Sequence, residues 1–438
     1  MEAINRIDPC VSAGRSNTAS PALDSGKRLT PLKVSVAALV IFSLVLPTGT
    51  LFGVPLKHVA YLLCLFAIAA QWIGQRKMLD QQILTLFVLV SCFVAFYMLI
   101  GALNNTVPFG YVLSEGTAVF TAVTIVLILL AARSLGGVTD EELVSYVFYG
   151  TLLFATWKVS VVVLLVSGVV SFADVYVFML EYVGYRPVTS GIFGGLVRFN
   201  LIIYDFVVAS LLFLVPGVPS AFVRVPRWLR AVFMVVGLAS LVFAFSRLLF
   251  ALVAILWAYL FLFKLRFSNK LIVACVTLLV IASSFSWLGG AYDQRFGDIR
   301  SSRSDDIRTE QVVALMDEWA ESPLIGGGFG HYAASYIRDP AVPFSYEVQW
   351  VGFMAKLGSL GVSVLIGFVA LLFSAVLHGP RTRDHYALAF CLAVFVLGGF
   401  TNQYLVSSAS GVFYSLNIFV SSILRRAALT NAVANGVG

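Results

Sequence analysis

The chain has 438 residues, of which 60% are apolar and 12% are charged, and its formal net charge is +7. Charged residues make up about a quarter of an average soluble domain, and a soluble fold of this size cannot bury so much apolar surface. These values exclude a soluble enzyme or a disordered protein as the first interpretation. The basic residues are scattered over many short segments, so they do not form the continuous patch that indicates nucleic-acid binding.

Twelve apolar runs are long enough to predict membrane-spanning helices, because about 20 helical residues cross a hydrocarbon core of about 30 Å. The fold class that we expect is therefore an all-α integral membrane protein with about twelve transmembrane helices. The runs lie near residues 33–51, 56–74, 82–101, 116–134, 142–167, 199–217, 229–245, 248–265, 270–289, 348–377, 385–402 and 408–424.

Polar segments divide these runs into two membrane regions. Residues 33–289 hold the first nine predicted spans, with a smaller outer loop at 168–198, and residues 348–424 hold the last three. Between the two regions lies a long polar segment, 290–347. We expect this segment to be one large outer loop that contains a helix of its own.

The lysine and arginine positions orient the chain, because loops on the cytoplasmic side carry the excess of these residues. With both ends inside, 1–32 is expected to be a disordered cytoplasmic tail without a signal-peptide core, and 425–438 a second cytoplasmic tail. This orientation places 18 of the 29 basic residues in the cytoplasm. They are Arg6, Arg15, Lys27, Arg28, Lys33, Arg76, Lys77, Arg133, Arg224, Arg227, Arg230, Lys264, Arg266, Lys270, Arg381, Arg383, Arg425 and Arg426.

A helix outside the membrane is predicted over 304–320, with Ser304 or Asp305 as its N-cap. At about 100° per residue, Arg308 lies on the same face as three apolar residues. A cation on an apolar stripe either extends its head to water or meets an anion. The sequence leaves both interpretations open. The apolar residues of this face are Val312, Leu315 and Trp319.

A glycine-rich stretch, LIGGGFG at 324–330, follows this helix and permits a tight turn with close backbone approach. Such turns can present N–H groups to phosphate. The pattern is not a Walker loop, since no Lys-Ser/Thr pair follows it. His331 comes next, and a loop histidine is either an ordinary surface residue or a proton acceptor.

Five ionisable residues lie inside predicted spans or at their outer ends. Such residues are rare in membrane segments and often functional. For Lys158, Asp205 and Lys356, an ion pair between helices is the competing interpretation. Arg247 and Glu347 lie at the level of the outer loops, which favours a functional role for them.

The order and spacing of these motifs resemble the bacterial O-antigen ligase and polymerase superfamily. In that family an arginine precedes a proline by fifteen residues, a glycine-rich turn follows, and a polar residue opens a helix with two glycines three apart. Ligases of the family carry a His-Asn pair where this chain has Glu347, so the resemblance favours a polymerase. The matching residues are Arg308, Pro323, the 324–330 turn, Glu347, Gly358 and Gly361, with Arg247 in FSRLLF and Arg186 in RPVTSGIFGG.

The resemblance implies a glycosyltransferase whose donor is an undecaprenyl-diphosphate-linked oligosaccharide, used on the periplasmic side of the bacterial inner membrane. Residues 290–347 would then be a periplasmic loop. Arginine forks would hold the diphosphate, with no metal or other cofactor. The expected diphosphate-binding residues are Arg186, Arg247, Arg303 and Arg308; the expected base is Glu347 or, second, His331; Tyr332, Tyr336 and Trp350 are expected to contact glycan.

Three other functions remain open on the sequence. An O-antigen ligase would use the same donor but transfer the glycan to lipid A-core, whereas a polymerase transfers it to a lipid-linked repeat unit. A flippase for lipid-linked oligosaccharides would show internal repeats and charged spans, and no repeat is visible. A secondary transporter would couple ion movement to Asp205.

Overall fold

The structure is a computed structural model of the whole chain. It describes residues 30–75, 79–104, 107–184, 192–193, 196–197, 201–244, 246–263, 271, 298–378 and 382–434. Most of the predicted tail 1–32 and all but one residue of the ninth predicted span, 270–289, lie outside the described residues.

The expected all-helical fold is confirmed. A two-residue hairpin, Ile192–Phe193 with Leu196–Val197, is the strand structure in the described part of the chain. A short 3₁₀ turn spans Pro219–Phe222. The α-helices are α1 Pro31–Val45, α2 Leu56–Gln75, α3 Gln81–Leu103, α4 Phe109–Ser134, α5 Asp140–Val166, α6 Phe172–Glu181, α7 Ile202–Gly217, α8 Arg227–Val242, α9 Arg247–Phe263, α10 Asp298–Glu321, α11 Gln349–Leu377, α12 Arg383–Gly398 and α13 Ser408–Ala434.

Six of the described helices are long and apolar enough to cross a membrane, namely α2, α3, α4, α5, α11 and residues 408–430 of α13. Three shorter apolar helices, α1, α7 and residues 248–263 of α9, have 15 or 16 residues. The protein is therefore membrane-embedded. The count of twelve spans stays a prediction.

Several predicted boundaries are wrong. Helix α1 begins at Pro31, inside the predicted tail, because Thr30 caps it and proline suits the first helical turn. Helix α10 begins at Asp298, so neither Ser304 nor Asp305 is its N-cap. The smaller outer loop contains α6, and α13 continues through the predicted tail to Ala434.

Helices α4 and α13 form the centre of the bundle, and most of their surface is buried. They pack on each other, and α13 also packs on α5, while α3 lies against α4 and α11 against α13. Most of α3 and α11 stays uncovered although both helices are strongly apolar. Apolar helix faces that point away from the core are what a hydrocarbon environment requires.

Four basic residues that the sequence assigns to the cytoplasm meet at one end of the bundle. The first turn of α5 holds Asp140, Glu141 and Glu142. Glu142 pairs with Lys33 at 2.9 Å and with Arg224 at 2.7 Å. Asp140 pairs with Arg133 at 3.0 Å and with Arg426 at 2.9 Å, and Glu141 pairs with Arg426 at 2.8 Å. We call these residues the charged end.

Lys158 of α5 and Asp205 of α7 form an ion pair, with 2.6 Å between Nζ and Oδ1. Both side chains are fully buried, and the other Asp205 oxygen accepts the Leu201 N–H. A buried charge is stable only when it is paired and hydrogen-bonded. This pair therefore joins two helices, which matches the ion-pair interpretation.

Candidate functional site

Helix α11 is broken at Gly358, whose φ of 58° and ψ of −173° interrupt the hydrogen-bond ladder. The glycine-rich turn fills the gap. Gly327 and Gly328 donate their N–H groups to the carbonyls of Ala355 and Lys356, at 3.0 and 2.8 Å. Beyond the break, Ser359 and Leu360 donate to the carbonyls of residues 323 and 324. The turn therefore supplies the backbone partners that the break removes.

Glycine is required at the contact between the turn, α3 and α11. A Cβ on Gly358 would lie 2.4 Å from the Leu324 carbonyl carbon, and one on Gly328 would lie 2.1 Å from the Gly101 nitrogen. Both residues have positive φ. A Cβ on Gly361 would lie 2.6 Å from the Tyr97 hydroxyl oxygen. That hydroxyl donates to the Leu357 carbonyl at 2.8 Å.

A buried ion pair holds the C-terminal end of the glycine-rich turn, at Gly330. Lys356 contacts Glu115 of α4 at 2.5 Å and donates to the Phe344 carbonyl at 2.6 Å. The second Glu115 oxygen accepts the Gly330 N–H at 2.8 Å. The ion-pair interpretation of Lys356 therefore fits the structure, and its partner is a residue that the sequence analysis did not select. The pair ties α4, α11 and the loop 322–348 together.

One face of α10 carries the polar contacts to this loop. Arg308 Nε lies 3.1 Å from Glu347 Oε2, and the Gln311 side chain accepts the Glu347 N–H at 2.9 Å. Arg338 Nη2 lies 2.8 Å from the other Glu347 oxygen. One turn further on, Leu315 is fully buried. Glu347 is thus held between two guanidinium groups at the mouth of α11.

The Arg308 and Glu347 side chains stay partly open to solvent, at 29% and 23% exposure, and Arg338 is 37% exposed. An anion arriving from outside can therefore reach the same two guanidinium groups that now bind the carboxylate. Of the two interpretations of Arg308, the structure favours the one in which it meets an anion, and the anion in this state is Glu347.

His331 is held separately from this cluster. Its Nε2 lies 2.8 Å from Glu318 Oε2, and its Nδ1 lies 3.4 Å from the Asn104 side-chain nitrogen. Glu318 follows Arg308 by ten residues on α10, a distance of about 15 Å along the helix axis. The two candidate bases, Glu347 and His331, therefore contact α10 at positions about three turns apart.

The predicted glycan-contacting tyrosines lie beside this face. Tyr332 and Tyr336 are half-buried and pack against a small apolar cluster of Leu315, Tyr346, Val348 and Ala355. The Tyr346 hydroxyl accepts the Ala333 N–H at 2.8 Å. Burial raises the pKa of Tyr346 to about 12, since the phenolate would lose its hydration.

Trp350 does not offer a sugar-binding face. It is 8% exposed, its ring packs beside Phe353 and Phe400, and its indole nitrogen donates to the Val396 carbonyl at 2.8 Å. That Trp350 contacts glycan stays a prediction, and the structure places its ring in a packed position. Its position at the start of α11 lets it contact α12 through the Val396 carbonyl.

Three predicted arginines are not placed by the structure. Arg186 lies outside the described residues. Arg247 begins α9 and Arg303 lies in α10, but their side chains are outside the described part. Their role as diphosphate ligands stays a prediction.

The sequence analysis missed Glu115, Asn104 and Arg338 as site residues. Glu115 lies just outside the predicted fourth span, 116–134, whereas α4 begins at Phe109 and includes it. An acid inside an apolar helix was the signal that could have identified it. Within the part of the chain that the structure describes, no three His, Cys, Asp or Glu side chains come together as a metal site.

A comparison with protein-family models finds no match for this sequence, and a search among curated proteins also finds none. The likeness to the O-antigen ligase and polymerase superfamily therefore rests on the motifs quoted above.

Proposed function

We propose that this protein is a membrane glycosyltransferase that polymerises oligosaccharide repeat units carried on undecaprenyl diphosphate. The observation that carries the proposal is the pair of partly exposed arginines, Arg308 and Arg338, converging on the carboxylate of Glu347. Planar guanidinium forks suit phosphate oxygens, and an acid beside them can serve as the base of a glycosyl transfer.

The chemistry follows from an exchange of anions. The donor diphosphate binds Arg308 and Arg338 and takes the place of the Glu347 carboxylate. The released carboxylate accepts the proton of the acceptor hydroxyl while that oxygen bonds to the anomeric carbon. The bond from this carbon to the diphosphate oxygen breaks, and the lipid diphosphate leaves with the electron pair, stabilised by the two arginines.

Glu347 is favoured over His331 as the base because it lies next to the arginines that would bind the diphosphate. A general base must lie within hydrogen-bond reach of the proton that it takes. The attacked carbon is bonded to the diphosphate, so the base and the arginines must share one small site. His331 pairs with Glu318, which lies about 15 Å along α10 from Arg308, and it holds the glycine-rich turn to Glu318 and Asn104.

The proposal includes twelve spans and a periplasmic site. The separation of charges along α4 supports one part of it, the placement of the candidate site and the charged end at different surfaces. Glu115 and Arg133 lie eighteen residues apart on this helix, about 27 Å at 1.5 Å per residue. That distance is close to the thickness of a hydrocarbon core, so the charged end and the candidate site belong to opposite membrane surfaces.

The test of the reaction is deletion of the gene in its natural host, with the surface polysaccharide separated by gel electrophoresis. A polymerase predicts surface glycans that carry a single repeat unit. Glycan-free lipid A-core together with intact lipid-linked polymer would indicate the ligase instead. Accumulation of precursor on the inner leaflet would indicate a flippase, and either of these two results would contradict the proposal.

The test of the orientation is labelling of a cysteine introduced at Ser301, in a variant that lacks Cys92. Cys92 is exposed and is removed to avoid background labelling. An impermeant thiol reagent should label residue 301 in cells whose outer membrane alone is permeabilised. Labelling that requires disruption of the inner membrane would contradict a periplasmic site.

A further inference from the structure

A groove opens between α3 and α11 on the side of the bundle away from the candidate site. The two helices meet at the contact between Tyr97 and Leu357. Toward the charged end they diverge, and α4 and α13 form the floor between them. The resulting cavity has a volume of about 130 Å³, and its walls are mainly apolar side chains such as Leu86, Val126 and Phe368.

The size and lining of this cavity suit a hydrocarbon chain. A dry apolar cavity of about 150 Å³ is large enough to hold benzene, so 130 Å³ accepts a segment of an acyl chain. Beside the cavity, Leu84, Val88 and Leu89 of α3 are 49 to 58% exposed. The groove is therefore continuous with surface that hydrocarbon must cover in a membrane.

The rim of the groove at the charged end is polar and cationic. Arg133, Arg425, His378 and Gln82 line it. Arg133 pairs with Asp140, and Arg425 places a second arginine on the rim. The side-chain oxygen of Gln82 is buried and accepts no hydrogen bond. The rim thus offers two arginines and one vacant acceptor.

We infer that this groove binds an anionic phospholipid of the cytoplasmic leaflet with a hydroxylated headgroup, of the phosphatidylglycerol class. One acyl chain lies between α3 and α11. The phosphate meets Arg425 and the remaining donors of Arg133, and a headgroup hydroxyl donates to Gln82. Basic pockets between membrane helices on the cytoplasmic side recognise anionic headgroups in this way. The choice of leaflet rests on the orientation given with the proposed function, whereas lipid binding in the groove does not depend on the proposed reaction.

Lipid binding by the purified full-length protein, followed by native mass spectrometry, tests the inference. The probes are phosphatidylglycerol and phosphatidylcholine with the same acyl chains. Arg425→Gln removes a rim cation. Arg426→Gln is the matched control, because it removes the same charge from the next residue, which does not line the groove. Ala375→Phe fills the cavity without changing charge. Unfolding temperatures of all variants are recorded alongside.

Phosphatidylglycerol should bind better than phosphatidylcholine. Arg425→Gln should weaken phosphatidylglycerol binding about fivefold relative to Arg426→Gln, the factor expected for one basic residue beside anionic lipid. Ala375→Phe should weaken the binding of both lipids.

Equal binding of the two lipids, equal effects of the two arginine variants, or unchanged binding by Ala375→Phe would each overturn the inference. Undecaprenyl phosphate is added as a competitor. Displacement of phosphatidylglycerol at equal concentration would also overturn it and assign the groove to the carrier lipid.

Discussion

Replacement of Glu347 by glutamine distinguishes two roles of this residue, a catalytic base and a residue that only positions the arginines. The glutamine keeps the size of the side chain but cannot take up the proton of a sugar hydroxyl. Its amide oxygen can accept from one guanidinium, whereas its NH₂ group cannot accept from the other. One of the contacts at 3.1 Å to Arg308 and 2.8 Å to Arg338 is therefore lost.

Loss of a hydrogen bond and loss of a catalytic base are expected to differ in size. A hydrogen bond to a charged group contributes about 1.5–3 kcal/mol, and the partial exposure of this site favours the lower end for folding stability. Loss of a general base costs about 10²- to 10⁴-fold in turnover, or about 2.7–5.4 kcal/mol of transition-state stabilisation. The donor KM should stay constant or fall, because the carboxylate no longer competes with the diphosphate.

The assay is polymerisation of a lipid-linked repeat unit by purified Glu347→Gln protein, with kcat and KM measured separately. Glu310→Gln is the matched control, since Glu310 is exposed on α10, away from the loop contacts. A kcat within threefold of the wild-type value would refute the role of Glu347 as base. A raised KM with constant kcat would show that Glu347 only positions the arginines.

The remaining predictions concern the fold around the site. Gly358→Ala should lower the unfolding temperature and abolish activity, because its φ and ψ are essentially restricted to glycine; Gly367→Ala, with open space at its Cβ, should be tolerated. Lys158→Met should destabilise the protein by about 3–5 kcal/mol in chemical unfolding, and adding Asp205→Leu should restore most of the loss. The pKa of Tyr346 is raised from 10.0 to about 12 in the folded protein. Its contribution to folding stability should therefore be complete below pH 10 and be lost as the pH rises to about 12. Tyr346→Phe should flatten that decline in unfolding temperature, and an unchanged slope would contradict the burial argument.

The helical layout was largely predictable from the sequence. Eleven of the twelve predicted runs coincide with described helices, because an apolar run of membrane length has few alternatives to a helix. The ends were less predictable. Helix α10 is six residues longer than expected at its N-terminus, since its first two turns are polar and carry no apolar periodicity.

The site was predictable only in part, because its contacts join distant segments. The position of Arg308 on the apolar face of α10 left open whether it meets an anion or extends to water, and the structure brings it to Glu347, 39 residues away. The partner of Lys356 is Glu115, separated by 241 residues, and no local pattern connects them. The break at Gly358 was equally hidden, since a glycine in an apolar helix is often tolerated without a break.

The central claim is that Arg308 holds the lipid diphosphate for glycosyl transfer. The most direct measurement is product analysis after purified protein is reconstituted in vesicles with the lipid-linked repeat unit alone. The wild-type protein should form a ladder of lipid-linked chains and release one undecaprenyl diphosphate for each new glycosidic bond. Arg308→Ala, folded and inserted normally, should form no ladder, and Arg308→Lys should restore little of it because lysine lacks the planar fork. A ladder of normal length from Arg308→Ala would contradict the account.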